Sequence, residues 1–225
     1  YGGNPDLQPE TSESWTMGAV VDPVDGLTIT IDYWNIEIED AVGTVGTTDL
    51  IRLCATQGLY CDRTFRFTSP AAVAGQIIRV EDTDNNVGTE TYTGVDLGIA
   101  ADLPSFRGGD LTLDMQATYN EETQVITAAG LVVEDLAGTV SQTYGMYSRW
   151  RALTKLNWNK GNINVTYTNR YIHGVTDEVD DFWTLEPTYT EIPEVMYNDI
   201  TVSYTTDSMG TIALGVTNFT DEEVP

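Results

Sequence analysis

Basic residues are scarce in this chain: 10 Lys and Arg stand against 35 Asp and Glu, a formal charge of −25 over 225 residues. Nucleic-acid binding draws on a basic stripe that displaces counterions from phosphates, so that partner is excluded. Docking on anionic headgroups through basic residues is excluded on the same ground. What remains is solubility through self-repulsion, or an outer surface whose carboxylates are bridged by divalent cations.

Histidine and cysteine are scarcer still. One His and two Cys do not furnish the roughly four ligands of a zinc site. Cys54 and Cys61 lie close together in a stretch rich in turn formers and read as a disulfide closing a small loop. Two free buried thiols are the alternative. The bonded form implies an oxidising compartment such as the periplasm or the cell surface. No GxSxG, GxxxxGK[ST], HExxH or CxxC pattern occurs, and one histidine leaves little scope for triad chemistry. Neither catalysis nor a cofactor is expected. Long apolar runs are also missing: nothing approaches the ~20 residues of a membrane helix. The chain opens at Tyr1-Gly2-Gly3-Asn4, so no signal peptide is expected, and a membrane role must run through β-strands.

What is present is alternation. Trp15, Met17, Ala19 and Val21 alternate with polar or small residues, as do Leu27, Ile29, Ile31 and Tyr33. Val95 to Leu103, Leu111 to Tyr119, Trp150 to Trp158 and Ile163 to Tyr171 repeat the pattern. Ile200, Val202 and Tyr204, then Ile212, Leu214 and Val216, complete it. A period of two marks strands with one apolar and one polar face. Short connections rich in Gly, Asn, Asp or Pro (Pro23 to Gly26, Pro104 to Gly109, Lys160 to Asn162, Asp207 to Gly210) take turns with long ones. The long ones run from about Ala41 to Gln76, Thr123 to Tyr147 and Val175 to Glu194.

An outer-membrane barrel has this rhythm, with short periplasmic turns and long extracellular loops. Strands 11–22, 95–103, 149–159 and 197–206 then run downward and their partners upward. Trp15, Tyr119, Trp150, Tyr167 and Tyr171 lie toward the long-loop ends and Trp158 toward a short turn, the placement of two interfacial belts, with core aromatics of a sandwich as the other reading. The polar face of Thr, Asn, Gln, Gly and Asp, with a few Arg, suits a wet lumen or a solvated sandwich equally.

Particular segments resemble the barrels of TonB-dependent receptors. Asn4-Pro5-Asp6-Leu7-Gln8-Pro9-Glu10, leading to Trp15, is similar to the asparagine-proline-x-leucine-x-proline-glutamate approach to a downward strand. Asp32 to Asp40 resembles the following upward strand, and Thr93-Gly94-Val95-Asp96 a strand entry where Gly94 lets the chain bend. Leu214 to Glu222 resembles the glycine-valine-x-asparagine-leucine-phenylalanine-aspartate segment near the family's C-terminus, with Asn218 capping a turn.

The resemblance implies an all-β, antiparallel, up-and-down transmembrane β-barrel segment: about eight of 22 strands, roughly strands 14 to 21. Residues 1–225 are expected to be a partial barrel without plug domain and without the final strand. It further implies energy-coupled import of a scarce nutrient, an oligosaccharide, siderophore or similar solute, across the outer membrane of a Gram-negative bacterium. The implied partners are the TonB complex through the absent plug, outer-membrane lipid and lipopolysaccharide, and a small solute. The alternative is a secreted or surface-layer all-β adhesin or carbohydrate-binding protein, which would bury its apolar strand faces.

Candidate ligand contacts are the aromatics of the long loops, Tyr144, Tyr147, Phe182, Trp183 and Tyr189, whose faces stack on flat ligands, together with His173. Loop-on-loop packing is the other use of those rings. Glu121-Glu122 gives no sign of a catalytic pair. Asp177, Glu178, Asp180 and Asp181 are weak calcium candidates, clustered oxygens without the spacing or glycine of an EF-hand.

Overall fold

The computed structural model describes residues 3–70, 73–126, 132–133, 135–141, 145–180, 187–208 and 210–223. Four long hairpins form its main sheet. The first joins β1 (Thr11–Val24) to β2 (Leu27–Gly43) through Asp25-Gly26. After β2 come α1 (Thr47–Gln57), a 3-10 turn at Cys61–Arg63 and the short pair β3 (Thr64–Arg66) and β4 (Ile77–Val80). The second hairpin joins β5 (Asn85–Phe106) to β6 (Gly109–Ile126). Its turn is Arg107-Gly108, both at positive φ (50° and 75°), which matches the right-handed twist of the strands.

Three short strands follow: β7 (Val132–Val133), β8 (Thr139–Ser141) and β9 (Gly145–Met146). The third hairpin is β10 (Trp150–Lys160) with β11 (Ile163–Ile172). Next are β12 (Val175–Asp180) and β13 (Pro187–Ile192), then the fourth hairpin, β14 (Val195–Thr206) with β15 (Gly210–Val216).

The main sheet runs β1-β2-β5-β6-β10-β11-β14-β15, with β7 appended to β6. Each long strand neighbours the next one in the chain, so the topology is up-and-down, and the barrel is not closed within these residues. A second sheet has the order β13-β12-β8-β9, and β3 pairs with β4. The chain divides into two compact units, one of residues 1–13, 37–91 and 124–134, the other of 14–36, 92–123 and 135–225.

Register fixes which side chains share a face. Leu111 pairs with Trp158, Trp158 with Val165, Val165 with Val202, and Val202 with Leu214, an apolar row across five strands. One residue along, Thr112, Asn157, Thr166, Thr201 and Gly215 form a polar row. A slip of one residue in any pair would put apolar side chains among the polar ones. On the polar row, the Thr166 hydroxyl donates to Asn157 Oδ1 at 2.6 Å.

Among the described residues, much of the apolar face stands exposed. Met17 is 71% exposed and Leu214 78%, and Val21, Val202 and Ile212 are exposed as well. A water-soluble sandwich packs such a face about 10 Å from a second sheet. This face therefore meets a medium that is itself apolar, as the outside of a membrane barrel does, and the adhesin alternative loses its structural basis.

Several expectations need correction. β5 begins at Asn85, ten residues before the alternation starts at Val95, because backbone pairing continues through Asn85–Gly94 without an apolar face. β2 and β6 extend to Gly43 and Ile126, into stretches read as long connections, and the 104–109 connection contracts to Arg107-Gly108. The long connections are themselves ordered in part, holding α1, β3–β4, β8–β9 and β12–β13. Gly94 is not a bend. It lies within continuous β5, and a Cβ there would collide with the Trp34 indole and the Tyr119 carbonyl, so its absence seats the ring.

The segments that carry the family resemblance are held by side-chain clasps. Asn86 Oδ1 accepts the Gln8 N–H at 2.8 Å, and its amide donates to the carbonyls of Gln8 and Asp40. Asn4 reaches the Asp84 carbonyl at 3.0 Å, and Glu10 accepts the Val42 N–H at 2.6 Å. At the other end Asn218, at φ 48°, exchanges side-chain bonds with both the carbonyl and the N–H of Glu222. That is the turn cap expected of it.

Candidate functional site

The polar face of the main sheet and the segments joined to its strand ends offer the candidate ligand surfaces. On the polar face, Thr28, Thr30, Asp96, Gly98, Asp114, Gln116 and Thr118 line a groove of about 440 Å³. Gly98 opens it, because a Cβ there would meet the Thr30 hydroxyl. Thr118 donates to Asp96 at 2.6 Å, which fixes one wall.

A clasp then orders the segment between β6 and β10. Asp135 accepts the N–H groups of Thr123 (2.9 Å) and Ala137 (3.0 Å) and pairs with Arg149 at 2.9 Å. Arg149 also donates to the Glu121 carbonyl at 3.0 Å. A carboxylate satisfied by two backbone donors and a guanidinium is a strong local anchor. It holds the start of the β8–β9 hairpin, and Gly138 N–H continues the ordering to the Tyr147 carbonyl at 2.6 Å.

Among the described residues, the sequence candidates Tyr147 and His173 each meet different neighbours. Tyr147 stacks at a tilt against Tyr92, ring centroids 6.5 Å apart, so this ring packs segment against strand. His173 donates its backbone N–H to the Trp150 carbonyl, and its Nδ1 lies 2.8 Å from the Gly174 carbonyl. Its ring stands edge-on to Tyr171, centroids 6.4 Å apart, and these contacts describe a residue of the rim. Tyr144, Asp181, Phe182 and Trp183 lie outside the described residues.

Tyr189 on β13 is placed by its backbone opposite Glu178 on β12, with Asp180 opposite Pro187. Asp177 pairs with Thr190 of β13 and Val140 of β8. Among the described residues no group of three or more His, Cys, Asp or Glu is arranged to hold a metal. Cys54 and Cys61 are bonded, with Cα atoms 4.8 Å apart.

The basic residues of the polar face are absent from the sequence-based site candidates. Arg151 stands opposite Thr118 and Ile172, Lys155 opposite Asp114 and Thr168, and Arg170 opposite Leu153 and Tyr197. Parity along β10 and β11 was the available signal, since all three fall on the polar side of the alternation.

The family described as "TonB dependent receptor-like, beta-barrel" matches residues 1–219. The fold is similar to the outer membrane transporter YddB from Escherichia coli, with TM-score 0.62 and 11% identity over 98% of this chain and 30% of that one. It is similar to the ferric enterobactin receptor PfeA of Pseudomonas aeruginosa, with TM-score 0.60 and 13% identity over 96% and 26%. The FrpB iron transporter of Neisseria meningitidis gives 0.58 and 12% over 96% and 28%. The chain thus spans less than a third of the length of these structures. Among curated proteins none matches the sequence.

Proposed function

The chain belongs to the TonB-dependent receptor β-barrel family of the outer membrane, and from that membership we propose that it forms eight wall strands of a transporter importing a scarce solute by TonB-coupled active transport. The observation that carries this reading is the two-faced wall: an uncovered apolar row outside and a polar row of Thr, Asn and Gly on the opposite face. Strands with free edges leave backbone groups unpaired, which hydrocarbon does not tolerate, so β1 and β15 call for further strands of the same barrel. Transport is a property of that larger assembly. In it, residues 1–225 supply wall and rim, and TonB is engaged through the plug of the assembly.

The solute is a siderophore, an oligosaccharide or a similar nutrient, the first favoured by similar structures named as iron and ferric enterobactin receptors. Outer-membrane lipid and lipopolysaccharide cover the apolar row. The test is uptake of the cognate solute by the intact protein with and without TonB. Uptake should be lost without TonB, and uptake that continues unchanged replaces the transporter reading with a passive pore or adhesin. Deleting residues 175–194 should weaken solute capture and leave the barrel foldable, since β12 and β13 belong to the second sheet and pair with none of the eight wall strands.

A further inference from the structure

The polar face of β2 carries an indole. Thr28, Thr30 and Asp32 take that face by alternation, and Trp34 follows them there, since a Cβ on Gly94 of β5 would meet its ring. Its neighbour Tyr33 lies on the apolar face, 5.3 Å from the Trp15 ring centre. Lipid accounts for an aromatic on the apolar face and leaves Trp34 unexplained. Asp32 lies over Gly18 of β1, where a Cβ would collide with its carboxylate. The two side chains thus rest on glycines of opposite neighbouring strands. A cavity of about 480 Å³ opens beside them, lined by Thr16, Asp32, Trp34, Ile36 and Asp96.

Charge and ring agree on what this cavity attracts. Its lining holds two carboxylates and no basic residue. Asp32 is exposed and, among the described residues, makes no ion pair or hydrogen bond. Asp96 makes no ion pair there either and accepts the Thr118 hydroxyl at 2.6 Å. It also borders the adjoining groove, where Asp114 adds a third carboxylate. Arg151 and Lys155 stand on β10 opposite Thr118 and Asp114, with β6 between them and β5. A hard metal ion needs several converging oxygens, and among the described residues no group of three or more acidic, His or Cys side chains is so arranged. An organic cation asks for less: an aromatic face, whose quadrupole attracts it, and a carboxylate within reach.

We propose that Trp34, Asp32 and Asp96 form a seat on the lumen wall for an organic cation, a substituted ammonium group carried by the solute. The proposal rests on the transporter reading, which makes the polar face the lumen, and deepens it by naming a charge that the solute bears. The indole face takes the alkyl groups around the nitrogen, and the carboxylates on either side balance its charge. Gly94 is needed for this, because any side chain there would lift the ring from the sheet. The formal charge of −25 gathers cations at long range, so the field of the whole chain and the seat act in the same sense.

The probe is choline, set against its neutral isostere 3,3-dimethylbutan-1-ol, each titrated into the full-length receptor in neutral detergent at low salt and followed by saturation-transfer NMR. Choline should bind, and the isostere should bind at least about tenfold more weakly. Trp34→Leu and Asp32→Asn should each weaken choline about fivefold. Trp34→Phe keeps an aromatic face and should retain most of the affinity. If Trp34→Leu fails to fold, Asp32→Asn and Trp34→Phe carry the reading between them. A control, Asp207→Asn in the turn before β15, removes equal charge elsewhere and should change affinity less than about twofold. Equal weakening in the control would reduce the effect to bulk charge and overturn the seat. Equal binding of choline and the isostere would overturn it too, since the cavity would then read shape without charge. No binding of choline to the wild type has the same consequence. Choline binding needs no TonB, so an unchanged affinity in the Trp34 and Asp32 variants sinks the seat alone, whereas TonB-independent uptake sinks the transporter reading.

Discussion

On the wall, Leu214 lies 78% exposed, whereas in the segment after β2 Leu50 and Leu53 are wholly enclosed. Val45, Leu50 and Leu53 form a small core there, with Tyr60 and Val80 packed against it. The same chain thus treats aliphatic side chains in two opposite ways. The segment obeys the rule for water: gather apolar groups, close the helix with a Gly58 cap in the left-handed region, and add a disulfide. The wall obeys the rule for lipid, where outward apolar groups cost nothing and backbone groups must all be paired. Two solvents are written into one sequence, and each can be tested by a substitution that only one of them would punish.

The largest expected effect is in the water-built core. Leu53→Ala removes a fully enclosed side chain and should cost about 2–5 kcal/mol of local stability. Amide exchange in residues 47–66 should accelerate while the wall strands keep their protection. If β10 and β11 lost protection equally, the segment would not be an independent core and the contrast between the regions would collapse.

The wall gives the next effect. Val165→Arg places a charge on the apolar row and should cost on the order of 2–4 kcal/mol near the bilayer midplane. Its neighbour Thr166→Arg, on the polar row, should cost far less. Folding of the intact barrel into vesicles at graded urea measures both. Equal costs would mean that parity carries no solvent information, and the lipid assignment would fail.

These regions were unequally legible in the sequence. The wall could be read because alternation of period two needs no knowledge of tertiary structure: Trp158, Val165 and Val202 announce their face residue by residue. Where the alternation lapses, as in Asn85–Gly94, the strand continues on backbone pairing alone and no period marks it. The helix was hidden for a different reason. Its first residues, Thr47-Thr48, are β-branched, its N-cap Gly46 makes no side-chain bond, and two leucines are too few for a convincing stripe.

A polar cluster on the apolar parity was also unreadable. Asn169 and Asn198 face each other there, and their cost is met only in three dimensions. Asn198 Oδ1 accepts from Tyr167 (2.5 Å) and Asn169 (2.8 Å), and its amide donates to Thr220 at 3.2 Å. As for the candidate site, aromatic and acidic residues could be named from the loops, but a loop's path is not encoded in any period. Tyr147 meets Tyr92 and His173 meets Tyr171 and Gly174, contacts that no period announces.

The smallest of the three effects concerns the disulfide, and it separates local bracing from global need. Cys54 and Cys61 join the end of α1 to the 3-10 turn with a sequence separation of 7. Closing so short a loop restricts the unfolded chain only modestly, by roughly 2–3 kcal/mol. Replacing both with serine should therefore loosen residues 47–66 by about that amount. The Gly58 cap and the Leu50–Leu53 core remain, so α1 should persist and exchange faster rather than vanish. The wall, which contains neither cysteine and draws its stability from strand pairing in lipid, should keep the unfolding midpoint of the parent barrel. Amide exchange and urea unfolding on the same double variant read the two quantities side by side. A shift of the wall midpoint matching the local loss would show that the water-built segment braces the lipid-built wall, and the two regions would then have to be treated as one cooperative unit.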